Sequence, residues 1–183
     1  MTIFEKIELY KTQKNYCKIT RQVDQKSKKL SHGYVVDYSY NFVMVLETHD
    51  FKFDGYSIFP ISSIVKIRFN DYDQYFDFIM EAEHQKDLVK ANYTIDLTDW
   101  KSIFKSVNRH KLVCIIENES RKKPFFLIGH IEEVKNKKTL IHNFDAKGYL
   151  DDELTPVKFN EISIIKIDDP YANTFGKYLR HKV

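Results

Sequence analysis

The sequence predicts a mainly β fold with flanking helices, arranged as two tandem five-stranded barrels, each preceded and followed by a short helix. Three observations predict it. Short segments rich in β-branched and aromatic residues partly alternate apolar with polar positions, as half-buried antiparallel strands do. Helix-spaced apolar residues bracket those segments. The chain also repeats itself along its whole length, at an offset that runs from 96 (Gly33 on Gly129) to 100 (Ile3 on Ile103).

The repeat is carried by apolar anchors in order. Ile3 and Phe4 fall on Ile103 and Phe104, Cys17 on Cys114, and Gly33 on Gly129. Ile64, Lys66 and Ile67 then fall on Ile164, Lys166 and Ile167, and Tyr72 and Phe76 on Tyr171 and Phe175. The domains expected are residues 1–84 and 99–183, joined by a connector over 85–98.

Within the first repeat, Thr2 followed by Glu5 has the spacing of a helix-capping box, and Phe4 and Ile7 begin an apolar face. Strands are expected in "YCKITRQV", "GYVVDYS", "NFVMVLETH", "YSIFPI" and "IVKIRF". A second helix follows, with Tyr72, Phe76, Ile79 and Met80 at i, i+4, i+7 and i+8 as its inward stripe. In the second repeat, Trp100, Ile103, Phe104 and Val107 mark the first helix. Strands follow in "KLVCIIEN", "FLIGHIEEV", "TLIHNF", "ELTPVKF" and "ISIIKI". Tyr171, Phe175, Tyr178 and Leu179 mark the closing helix, with Pro170 where a helix start tolerates proline. A five-stranded sheet of so few residues buries little apolar surface while flat, which is why closure into a barrel is expected.

Three stretches carry a family resemblance: the strand around Gly33, "NFVMVLETHD", and "DGYSIFPISSIVKIRF". They resemble the Sm-like family of small barrels, relatives of the Src-homology-3-like barrels, over residues 30–70 and more loosely over 127–168. The resemblance implies a glycine opening a long bent strand and two short last strands joined by a tight turn. It also implies an RNA site with an acidic residue and an asparagine near the second loop, positions that Asp37 and Asn41 match. The family's Arg-Gly or Lys-Gly pair between the last two strands is absent, since the turns here read "PISSI" and "KFNEI".

Composition narrows the function classes. The 183 residues are 43% hydrophobic and 30% charged, an ordinary globular balance. A net charge of +3 does not by itself announce a nucleic-acid binder. No apolar run reaches the ~20 residues of a membrane helix, and the start of the chain has no signal-peptide core, so a cytoplasmic protein with no membrane partner is expected. Only five glycines are present, and no phosphate-binding glycine loop, dinucleotide fingerprint or Gly-x-Ser-x-Gly elbow occurs. Cys17 and Cys114 lie in apolar strands, where thiols behave as small hydrophobes. Seven histidines form no metal-binding spacing; His130 and His142 lie on neighbouring strands, with Glu132 the nearest third ligand. A non-enzymatic protein without metal or cofactor is therefore expected.

Two binding readings stay open. Lys26, Lys28 and Lys29 and the matching Arg121, Lys122 and Lys123 sit between the first and second strands of each repeat. With Tyr38 and Asn41 they form a candidate surface for RNA or single-stranded nucleic acid, cations meeting phosphates and rings meeting bases. Alternatively, aromatic surfaces and the acidic run Asp71, Asp73, Asp77, Glu81, Glu83 and Asp87 serve a protein-interaction or structural module.

Overall fold

A computed structural model describes residues 1–181 and divides the chain into two units, Met1–Asn92 and Tyr93–Val183. Positions 182 and 183, the end of the expected second repeat, lie outside the described residues. Each unit runs helix, five strands, helix.

The first unit opens with α1 (Ile3–Gln13). The capping box read from Thr2 and Glu5 is formed, and Lys14 ends the helix in the left-handed region at φ 49°. Ile7 and Tyr10 face inward, while Phe4 stays partly exposed with its ring edge-on to Tyr38 at 5.3 Å. Then follow β1 (Tyr16–Asp24), β2 (Ser27–Tyr38), β3 (Phe42–His49), β4 (Lys52–Pro60) and β5 (Ile64–Arg68), and α2 (Asp71–Ala82). The strands lie side by side in the order β5-β1-β2-β3-β4. A 3-10 turn at Ile61–Ser63 reverses the chain between β4 and β5, where Pro60 and the two serines punctuate the sequence.

The second unit has α3 (Trp100–Arg109), β6 (Val113–Asn118), β7 (Phe125–Val134), β8 (Lys138–Asn143), β9 (Thr155–Lys158), β10 (Ile164–Ile167) and α4 (Pro170–Gly176). Its strand order is β10-β6-β7-β8-β9. Asp99 caps α3 by accepting from the Ser102 amide at 2.7 Å, and Asp169 caps α4 by accepting from the Ala172 amide at 2.9 Å. Helix α4 stops at Gly176, so Tyr178 and Leu179 lie beyond it rather than on its stripe. Leu179 still packs on the core of Val113, Ile115, Ile128, Phe144 and Ala172.

One device recurs in both units. Cys17 lies across from Gly33, and Cys114 across from Gly129. A Cβ on Gly33 would sit 2.0 Å from the Leu46 carbonyl oxygen, and one on Gly129 equally close to that of His142. The neighbouring strand passes too near for any side chain there. Two residues further on, each strand carries a bulge, between Val35 and Asp37 and between Ile131 and Glu133.

The expected barrels do not form, and the Sm-like resemblance falls with them. Within each unit the five strands form an open antiparallel ladder. Among the described residues β4 does not pair with β5, nor β9 with β10, so neither ladder closes on itself. The physical reason is that alternation records which face of a strand is buried, not how far the sheet curls. The apolar faces are instead covered by helices. In the first unit α1 packs on β2 and β5, and α2 on β1; in the second, α3 packs on β7 and β8, and α4 on β6 and β7.

Candidate functional site

Helix α2 is rotated part of the way round from its expected stripe, which keeps Met80 buried but puts Tyr72 outside. Its buried positions are Asp73, Asp77 and Met80. Tyr72, read as part of the inward face, is 82% exposed, and Phe76 and Ile79 are half-buried. Two aspartates thus take the inward stripe at i and i+4, with Met80 at i+7, and Tyr72, Tyr75 and Phe78 lie outside it.

The inward carboxylates are held by cations and a phenol. Asp73, 1% exposed, accepts from Arg68 through two parallel bonds, Nε to Oδ2 and Nη2 to Oδ1, each 2.9 Å. Asp73 also accepts from the Asn70 amide at 3.0 Å, while Asn70 Oδ1 accepts from the Asp73 amide at 3.3 Å, closing a capping box. The bonds to Asp73 hold the Arg68 guanidinium above its ordinary pKa. Asp77, 6% exposed, accepts from the Tyr34 hydroxyl at 2.8 Å and from Lys86 Nζ at 2.7 Å. Burial, reinforced by Asp77, pushes the Tyr34 phenol well up, so it stays a donor. Phe76 completes the seat, stacked on Tyr16 at 4.2 Å and on Phe51 at 4.9 Å.

The outward face is an aromatic row. Tyr72, Tyr75 and Phe78 are spaced i, i+3, i+6, and Tyr75 and Phe78 are 67% and 61% exposed. Their rings lie 6.1 Å apart at 24°. Asp71, Glu81 and Glu83 are exposed beside the row, so the surface is aromatic with an acidic margin. Residues three apart are neighbours on a helix surface, and a contiguous exposed aromatic patch with a polar border marks an interaction site more often than a scattered apolar residue does. The sequence held part of the signal, since Asn70 and Asp73 have capping spacing, but nothing local marks the face of Asp73 and Asp77 as the buried one.

The nucleic-acid candidates are not drawn into one place within the first unit. Lys26 lies in the β1–β2 turn, and Lys28 and Lys29 stand exposed at the start of β2. Tyr38 is at the other end of that strand, about 30 Å away at the usual rise per residue. There Tyr38 packs against Phe4, with Lys11 Nζ 5.2 Å from its ring centre, and Asp37 is paired with Lys11 at 2.9 Å. Asn41 is exposed in the β2–β3 turn and lines a cavity of ≈ 480 Å³ with Thr2, Phe4 and Tyr40. In the second unit Arg121, Lys122 and Lys123 are exposed in the β6–β7 loop.

Catalytic chemistry finds little to work with among the groups singled out. Both cysteines are fully buried, and burial pushes each thiol up to about 12. His130 and His142 do lie directly across from one another. Glu132 approaches His142 Nδ1 only to 4.0 Å, and His142 Nε2 lies 3.0 Å from the Asp151 carbonyl oxygen. Among the described residues no group of three His, Cys, Asp or Glu side chains is placed to hold a metal ion, and no helix is long and apolar enough to cross a membrane. No family model matches this chain, and neither a curated protein nor a solved structure matches it.

Proposed function

We propose that this chain is a non-enzymatic protein-interaction module that meets its partner through the outward face of α2. The observation that carries the reading is the set of that helix: Asp73 and Asp77 are buried and paired, while Tyr72, Tyr75 and Phe78 face water. Exposing three rings costs solvation free energy that a folded core recovers by burying them. A partner surface recovers it equally well. Large, rigid rings lose little side-chain entropy on binding, which suits them as anchors. The acidic margin selects a partner with an apolar recess bordered by Lys or Arg. The nucleic-acid reading keeps exposed lysines at the loop tips but loses its aromatic half, because Tyr38 is engaged by α1. A cytoplasmic location goes with the proposal, supported by two cysteines that are both free.

The test is site-specific photo-crosslinking in cells. A benzophenone-bearing phenylalanine analogue at position 78 is expected to capture a discrete protein adduct that the same analogue at position 52 does not. Adding Tyr72→Ser and Tyr75→Ser is expected to abolish the adduct. Equal capture from both positions, or an adduct indifferent to the substitutions, would remove α2 as the contact surface.

A further inference from the structure

The second unit carries a recess at the turn between β7 and β8. It is a cavity of ≈ 750 Å³ lined by Lys135, Asn136, Lys137, Lys138, Lys158, Phe159 and Asn160. Its volume falls in the range of small-molecule sites, roughly 300–1,000 Å³.

The charge arrangement is one a fold without a ligand has reason to avoid. Lys138 and Lys158 are directly opposed in the β8–β9 ladder. Their neighbours Thr139 and Val157 are also opposed and both buried, so by strand alternation the two lysines share the outer face. Like charges placed directly across a ladder destabilise it. Among the described residues Lys137, Lys138 and Lys158 have no carboxylate partner, whereas Lys135 meets Glu133 at 3.1 Å. The backbone holds the cluster in place. Lys135 donates its amide to the Lys138 carbonyl at 2.8 Å, and Phe159 donates its amide to the Lys137 carbonyl at 3.1 Å. Asn136 Oδ1 accepts from Lys101 Nζ at 2.7 Å. Phe159 is half-buried and stacked on Phe104 at 5.6 Å and 9°, which fixes its ring.

We propose that this recess binds a small phosphorylated ligand carrying a planar ring, with Lys137, Lys138 and Lys158 meeting the phosphates and Phe159 meeting the ring. Several unpaired ammonium groups around one recess fit a multiply charged anion better than a single carboxylate. The fixed aromatic ring adds a stacking surface for the uncharged part. A recess of this size takes a nucleotide whole, while a nucleic-acid strand needs a groove that continues past it. The proposal rests on residues of the second unit alone.

The test uses the full chain at low salt, with calorimetry and thermal melting against ATP, inorganic tripolyphosphate and an oligouridylate. ATP is expected to bind at least about ten-fold more tightly than tripolyphosphate, and to raise the melting temperature. Lys158→Glu is expected to weaken ATP at least about ten-fold. The same variant is expected to raise the ligand-free melting temperature by about 2 °C, because it removes the like-charge pair. Lys28→Glu, at the basic β1–β2 tip, is expected to change neither. Absence of ATP binding overturns the site, as does binding that Lys28→Glu abolishes and Lys158→Glu spares. Equal affinity for ATP and tripolyphosphate overturns the role of Phe159. Tighter binding of the oligouridylate overturns the small-ligand assignment in favour of nucleic acid.

Discussion

Cys17 and Cys114 show how far a residue can be read without its surroundings. Their apolar neighbours in the sequence mark them as buried, and each is fully buried opposite a glycine. With the thiolate suppressed, neither is expected to react with a thiol reagent at pH 8 in the folded protein. Both should react at once in denaturant. Fast labelling of native protein would contradict the burial. His130 gives a pH dependence. Burial holds its imidazole below 6.5, against a smaller opposing pull from Glu132. A folded-state value below the unfolded one favours the neutral ring. Its contribution to stability is therefore full above 6.5 and is lost as pH falls through the lowered value. His130→Gln is expected to flatten the decline in melting temperature below pH 6.5; an unchanged slope would assign the decline to other groups.

Helix α2 is the element where hydropathy misleads. Its apolar residues alone place Tyr72 inside, yet the buried stripe is Asp73, Asp77 and Met80. The reason is pairing across distance: Tyr34 and Lys86 lie 43 and 9 residues from Asp77, and nothing in the local pattern announces them. Asp77→Ala leaves a buried phenol and a largely buried ammonium without their acceptor, and is expected to cost about 2–4 kcal/mol by chemical denaturation. Replacing Asp77 and Lys86 together by Leu and Met should recover most of that loss. Strand β7 carries the opposite lesson. Gly129 was legible because it matches Gly33, at a strand position where a glycine suits a tight bend or a close backbone approach. With a carbonyl oxygen 2.0 Å from where a Cβ would stand, Gly129→Ala must displace β8 and is expected to cost at least about 2 kcal/mol. A neutral result would mean that β8 moves freely.

For the molecule as a whole, the distinction that matters is between rings that hold the fold and rings that do not. Phe76 and Phe104 are built into stacks with other aromatic side chains. Tyr72 and Tyr75 stand outside the core. Tyr72→Ser with Tyr75→Ser is expected to leave unfolding free energy within about 0.5 kcal/mol of the parent. A larger loss by denaturant titration would make the row structural rather than a contact surface. The basic residues divide similarly. The clusters at 26–29 and 121–123 were visible as runs, but the one around Phe159 was not. It is assembled from a turn and a strand end some twenty residues apart, and only their pairing in the ladder brings Lys138 against Lys158.

The sequence by itself determined most of the secondary elements, their tandem order, the cap of α1, the proline that starts α4, and the glycines where strands come close. These depend on periodicity, on capping spacing and on single residues, all local quantities. Only the tertiary structure decided that the strands stay in open ladders, that α2 turns its aspartates inward, and which lysines share a recess. Those outcomes depend on pairings between distant residues. Alternation marks the buried face of a strand whether the sheet closes or not, and a carboxylate joins a core wherever a remote cation or hydroxyl is waiting to receive it.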